Sequence, residues 1–231
     1  MRLLGILLCA LTLAACGDDD DGGADTARQE PRAEEPRADE PAAAGSCRAV
    51  EQPEPKPDGG AERPTGRLDP DATYVVTLAT SCGEIAIRLD QRSSPRTAAS
   101  FAELARSGFY DDTVFHRIVP GFVIQGGDPT ASGTGGPGYS TRDVPPQDTT
   151  YTKGVVAMAK SPVEPPGTAG SQFYIVTAPD AGLTPDYALL GKVVEGQDVV
   201  DAIGELGDPA SGGAGTPLQP VVIESAEVSE R

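Results

Sequence analysis

Arg117 and Gln125 stand out chemically because both sit inside runs that otherwise read as apolar strand. Phe115-His116-Arg117-Ile118-Val119 precedes a Pro120-Gly121 turn signal, and Phe122-Val123-Ile124-Gln125-Gly126-Gly127-Asp128 follows it. Burying an unpaired guanidinium is costly. Arg117 must therefore be paired, keep its head in water along an apolar stem, or face a cleft. A cleft beside Phe122 would be an apolar pocket with a fixed cation at its edge, able to donate hydrogen bonds to a polar atom held there. The alternative is a strand arginine paired with an acid on a neighbouring strand. His116 alternates in direction with Arg117, so it should face away from such a pocket, as a satisfied histidine of the core or just behind the site. A Ser-His-Asp hydrolase would have to use His116, the single histidine, and the chain has no Gly-x-Ser-x-Gly elbow. Cys47, Cys82 and His116 lack zinc-ligand spacing, so neither a metal nor a cofactor is expected.

The elements that must position these residues are short and mostly β. Tyr74 to Thr80 has strand composition and Ile85 to Leu89 alternates, with a hairpin turn at Ser81-Cys82-Gly83-Glu84. Ser94 as N-cap and Pro95 at the first helical position open a helix. Ala98, Phe101, Leu104 and Ala105 share one of its faces, and Gly108 ends it. Strand-like runs recur at 114–118, 122–125, 155–159, 173–177, 188–194 and 221–227, and 199–206 reads as a second helix. Many short strands with two helices predict one all-β barrel or sandwich of about 160 residues, spanning 71–231. The stretch 130–153 has little apolar content and reads as a surface loop near the pocket. Its Gly133-Thr134-Gly135-Gly136-Pro137-Gly138 is not a phosphate loop, because no Lys-Ser/Thr follows and no helix opens there.

The first part of the chain reads as address and spacer. Residues 1–15 have a short positive start, an apolar run and a small-residue end, the layout of an export signal too short to span a bilayer. Leu13-Ala14-Ala15-Cys16 resembles the lipobox of bacterial lipoproteins, which implies cleavage before Cys16, lipidation of its thiol and a two-chain membrane anchor. Gly17 to Ser46 holds ten acidic and three basic residues among Pro, Gly and Ala, so 16–46 reads as a lipidated cysteine with a disordered tether. Residues 47–70 form an irregular lead-in. The formal net charge of −17 argues against binding a phosphate backbone, so no nucleic-acid partner is expected. With Cys9 in the signal and Cys16 in the lipobox, Cys47 and Cys82 remain, and outside the cytoplasm two such thiols usually pair. Two unrelated thiols are the alternative.

A second motif adds to the first. Gly170-Ser171-Gln172-Phe173-Tyr174-Ile175 follows Val155-Val156-Ala157-Met158-Ala159 by a loop. Together with Phe115-His116-Arg117-Ile118, Gly121-Phe122 and Gln125-Gly126-Gly127-Asp128, the order and spacing resemble cyclophilins, a family of peptidyl-prolyl cis-trans isomerases, from about Tyr74 to Val228. The resemblance implies a closed eight-stranded antiparallel β-barrel capped by two α-helices. It implies Arg117 as the catalytic donor and Gln125 as the residue that helps position it. It implies that Phe122, Val123, Tyr174 and Leu183 line a proline slot. The backbone of Lys160, with Ala159 and Ser161, would hold the residue before proline, and Gln172 would lie on the groove floor. Met158 reads as core.

Several positions depart from the family pattern. Tyr174 replaces the usual phenylalanine, which adds a hydroxyl needing a partner. Val123 stands where methionine is common, and Tyr187 falls where histidine is frequent. The chain has no tryptophan, and Gly182 lies at about the place of the one that eukaryotic members use to grip cyclosporin. Cyclosporin inhibition is therefore expected to be micromolar or weaker. The expected protein is a membrane-anchored, exported isomerase acting on proline-containing polypeptides, with no sign of more than a monomer. A cyclophilin-like module that binds Pro-peptides with little turnover is the alternative, and a β-barrel lipoprotein for a small apolar ligand is a third reading. Arg117, Phe122 and Gln125 together favour turnover.

Overall fold

The first strand, rich in β-branched residues, alternates in burial: Tyr74, Val76 and Leu78 turn inward and are buried while Val75, Thr77 and Ala79 between them are partly exposed. The computed structural model describes residues 46–231. The expected export signal, the lipidation expected at Cys16 and the expected tether up to residue 45 lie outside the described residues. In chain order the elements are β1 Tyr74–Thr80, β2 Gly83–Leu89, α1 Pro95–Arg106, β3 Thr113–Val114, β4 Arg117–Val119 and β5 Val123–Gly126. Then come β6 Thr141–Arg142, β7 Val155–Met158, β8 Thr168–Ala169, β9 Phe173–Val176, β10 Leu189–Glu195, α2 Gln197–Gly204, a 3-10 segment Pro209–Ala214 and β11 Val222–Glu230.

The nine-stranded sheet runs β3-β11-β1-β2-β10-β7-β9-β5-β4 with every pairing antiparallel, and β6 pairs with β8 apart from it. It is a curled half-barrel and not the closed eight-stranded barrel expected. The predicted strand 114–118 is in fact two, because the chain leaves the ladder at Phe115-His116. Two- and three-residue strands at the two ends of the sheet cannot carry a ladder across the gap, and a single bridge, Val114 to Asp128, spans it. The β6–β8 pair also went unread, since two residues show no periodicity.

One main apolar core joins Phe101, Leu104 and Ala98 of α1 and Val199, Val200 and Ile203 of α2 through the inward residues of the sheet. Phe173 sits edge-on to Phe101, Tyr110 and Phe115 at 5.4, 5.9 and 6.1 Å between ring centroids. Ser94 is the N-cap of α1, but its hydroxyl caps nothing. The first-turn donors of Arg96 and Thr97 are taken by the Asp143 carboxylate at 2.9 and 2.7 Å, a long-range cap no local pattern reveals. Cys47 and Cys82 form a disulfide, 35 residues apart. Closing a loop of that length is worth roughly 3–4 kcal/mol in the chain-entropy account.

Candidate active site

Strand alternation divides the apolar side chains of β5, β7 and β9 between two clusters. Ile124, Val156, Met158, Phe173 and Ile175 enter the main core. Val123, Ala157, Tyr174 and Val176 point the other way and gather Phe122, Ala159, Tyr151, Leu183 and Tyr187. This second cluster holds the four residues expected to line the slot. Val123 and Tyr174 form its buried floor, while Phe122, Leu183 and Tyr187 are only partly covered.

Register places a polar row beside the cluster. Arg117 stands opposite Gln125, Gln125 opposite Tyr174, and Tyr174 opposite Ala157, crossing β4, β5, β9 and β7. The Arg117 guanidinium donates from Nε and Nη2 to the Gly213 carbonyl at 3.2 and 3.0 Å, and from Nη1 to Gln125 Oε1 at 3.3 Å. A guanidinium has five N–H groups, so two remain without a partner among the described residues. Partial burial lowers its pKa and the neighbouring Tyr187 raises it; an arginine stays cationic throughout. The plane of the donor is thus fixed from two sides. Gln125 Nε2 donates to Gln172 Oε1 at 3.0 Å, and Gln172 Nε2 to the Gly135 carbonyl at 2.9 Å.

An open groove of about 570 Å³ continues from this row, lined by Gln125, Gln172, Ala159, Lys160 and the glycine-rich loop. Ala159 N–H is used by the Gln172 carbonyl at 2.9 Å, and Ser161 N–H by the Glu164 carboxylate at 2.6 Å. The N–H and C=O of Lys160 make no hydrogen bond among the described residues, which leaves them able to pair with an extended peptide. Its ammonium lies 5.5 Å from the centre of the Tyr187 ring.

Two contributors escaped the sequence reading. Gly213 belongs to a Gly/Ala/Ser turn with no apolar signal, and only its carbonyl acts. Tyr151 lies beneath the cluster, donating to the Tyr187 carbonyl at 2.6 Å and accepting from Tyr187 N–H at 3.1 Å. Burial, opposed by the hydrogen bond accepted from the Tyr187 N–H, pushes its pKa up to about 12. Tyr151 thereby ties the rim around Tyr187 to the sheet. His116 turns away from the slot, but it is not the satisfied histidine expected. Both ring nitrogens are buried without a hydrogen-bond partner among the described residues, and burial holds its pKa down despite the nearby Asp128. Among the described residues no cluster of three or more His, Cys, Asp and Glu is placed to hold a metal.

Tyr174 carries the cost its extra hydroxyl implied. The oxygen is buried without a hydrogen bond among the described residues, and burial drives its pKa far up. Tyr174→Phe is therefore expected to stabilise the protein by about 1 kcal/mol, since an unsatisfied buried hydroxyl is removed at nearly constant shape. Urea unfolding of the two proteins checks this, and a destabilised variant would show that the hydroxyl has a partner.

Residues 75–228 match the family described as cyclophilin type peptidyl-prolyl cis-trans isomerase. Similar proteins include peptidyl-prolyl cis-trans isomerase B of Streptomyces anulatus, 40% identical over 173 residues, covering 67% of this chain and 96% of that protein. Peptidyl-prolyl cis-trans isomerase A of Mycobacterium tuberculosis is 40% identical over 178 residues, covering 69% and 94%. A crystal structure of a Cryptosporidium parvum cyclophilin type peptidyl-prolyl cis-trans isomerase in the presence of the dipeptide Ala-Pro superposes with a TM-score of 0.60 at 28% identity, covering 68% of this chain and 99% of that one.

Proposed function

The chain belongs to the cyclophilin-type peptidyl-prolyl cis-trans isomerases and is an enzyme of that class, and from this premise we propose that Arg117 drives rotation of X-Pro bonds in exported polypeptides, at the outer face of a membrane to which Cys16 anchors the protein. The observation that carries the site assignment is the clamped guanidinium. Arg117 is held by Gly213 and Gln125 in the row that borders the Phe122, Val123, Tyr174 and Leu183 cluster, with two N–H groups to spare.

Rotation of a peptide bond faces a barrier of about 18–20 kcal/mol from C–N double-bond character, and no bond is broken. The site therefore needs no nucleophile or base. It needs a slot that fixes the proline ring while the preceding carbonyl turns, and a donor that favours the twisted amide over the planar one. In the twisted state the prolyl nitrogen regains its lone pair. The free N–H groups of Arg117 are suited to donate to it. Lys160's unpaired backbone groups would pair with the peptide ahead of proline, and Gln172 would form the floor between.

Exchange NMR of a short X-Pro peptide tests this reading. The wild-type protein should raise the cis-trans exchange rate catalytically. Tight binding of the peptide with no gain in exchange would favour the alternative, a Pro-peptide holdase. The export-signal-like start and the lipobox-like Leu13 to Cys16 support the anchored location. Gly182 at the far rim has open space where a side chain would project, in keeping with poor cyclosporin binding. Inhibition at nanomolar cyclosporin would overturn that expectation.

A further inference from the structure

The lead-in before β1 crosses the outside of the glycine-rich loop, and we propose that it is a disulfide-pinned strap whose Asp58 positions Arg117 through a one-way chain of hydrogen bonds. The proposal rests on the reading of Arg117 as the catalytic donor. The strap is fixed at its start by the Cys47–Cys82 bond and by Arg48 N–H donating to the Ser81 carbonyl at 2.8 Å. Lys56 then ties it to the loops that follow α1 and β5. Its N–H reaches the Pro129 carbonyl at 2.8 Å, and its ammonium reaches the carbonyls of Gly108 and Phe109 at 3.2 and 3.3 Å. Gly59 and Ala61 donate to the carbonyls of Gly136 and Pro137 at 2.9 and 3.1 Å. The backbones pass so closely that a Cβ at Gly138 would sit 3.1 Å from Gly59 Cα.

The consequence lies in a single peptide group. The Gly135–Gly136 peptide is bonded on both of its polar ends. Its N–H donates to Asp58 Oδ1 at 2.8 Å, and its carbonyl accepts from Gln172 Nε2 at 2.9 Å. Gln172 accepts from Gln125 at 3.0 Å, and Gln125 from Arg117 at 3.3 Å. Every donor in the sequence Arg117, Gln125, Gln172, Gly136 points towards Asp58. A cation stands at one end and a carboxylate at the other. Such a chain polarises each member in the same sense, and it fixes which way the two glutamine amides face. If the Gly135 carbonyl swings away, Gln172 loses its acceptor, and both amides are free to turn an N–H towards the guanidinium. Asp58 is thus a positioning residue, 59 positions before the group it orients and reached only because the strap folds back over the loop.

The test uses the full chain, oxidised, with Asp58→Ala and Asp58→Asn. Asp58→Ala removes the acceptor and should lower kcat/KM on an X-Pro peptide about threefold, the scale of one exposed hydrogen bond. It should also move the NMR signal of the Arg117 Nε–H. Asp58→Asn keeps an acceptor oxygen and should restore both readouts. Reducing the Cys47–Cys82 bond in the wild-type protein under native conditions should shift the Arg117 signal in the same direction. That arm keeps the idea testable if Asp58→Ala folds poorly. Unchanged activity and an unmoved Arg117 signal in Asp58→Ala would overturn the proposal, and so would equal losses in the Ala and Asn variants. If Arg117→Ala leaves exchange untouched, the catalytic reading fails by itself, and the Nε–H signal still decides whether the relay exists.

Discussion

Arg117→Ala is expected to lower kcat/KM for an X-Pro peptide about 10²- to 10³-fold, the usual cost of removing a preorganised donor aimed at a transition state. The structure supplies the reason for so large an effect. Gly213 and Gln125 hold the guanidinium in place before any peptide arrives, so no ordering is required at the moment of reaction. Alanine leaves the apolar cluster intact, so peptide binding should weaken much less than turnover. The separation of kcat from KM is therefore part of the expectation. Arg117→Lys should recover only a fraction. An ammonium keeps the charge but not the planar fork that bonds Gly213 and Gln125 while presenting further N–H groups. Exchange NMR with saturating peptide measures both variants. An alanine variant within a few-fold of wild type would remove Arg117 from the mechanism and shift attention to the slot alone.

Asp128→Ala should destabilise the fold by about 3 kcal/mol, because it deletes a buried charge on which several donors converge. Asp128 is completely buried. Its carboxylate accepts from Thr130 N–H and Oγ1–H at 2.8 Å each, from Gly133 N–H at 2.6 Å and from Gly135 N–H at 3.2 Å. Gly135 is closed to larger residues for the same reason, since a Cβ there would lie 2.2 Å from Asp128 Oδ1. Burial pushes the carboxyl pKa up, and the four hydrogen bonds more than offset it, leaving a value below the usual 3.8. The sign follows from that direction. A carboxylate with a depressed folded pKa contributes stability above its unfolded pKa and loses it as pH falls through the folded value. Asp128→Ala should therefore reduce stability at neutral pH and flatten the acid side of the stability profile. Urea unfolding across pH 2–7 checks both points. A loss below about 1 kcal/mol at neutral pH would mean that the loop donors find other acceptors. Activity should fall as well, since Gly135 is the carbonyl that receives Gln172.

Particular residues show where local reading reaches and where it stops. The strands around Val76 and Ile87 were legible from strand composition and alternation, and the one around Ile175 as a short continuous apolar run, buried on both faces. The break at Phe115-His116 was not, because both residues are as apolar or as strand-compatible as their neighbours. Only the competition between pairing partners separates β3, which joins β11, from β4, which joins β5. Ser94 was legible as a helix start from its type and the following Pro95, but the group that caps the helix is Asp143, a choice made by packing.

The candidate site divides the same way. Arg117, Gln125, Phe122 and Gln172 were readable because a charged or amide side chain in an apolar strand has few places to go, and their order along the chain is the signature of the family. Tyr151, the Gly213 carbonyl and Asp58 were not readable. All three act on or through backbone groups, and all three are brought to the site by chain segments remote in sequence. By itself the sequence determined which residues carry chemistry, that a mostly β domain presents them, and that Cys47 and Cys82 were candidates to pair. Tertiary structure decided how that chemistry is aimed. It left the sheet open at β3 and β4, gave two hydrogen-bonded anchors to the guanidinium, and laid the strap across the glycine-rich loop. The physical reason is that burial patterns are written locally, residue by residue. A hydrogen bond between distant groups depends only on where folding places two atoms, and the composition around either one does not record it.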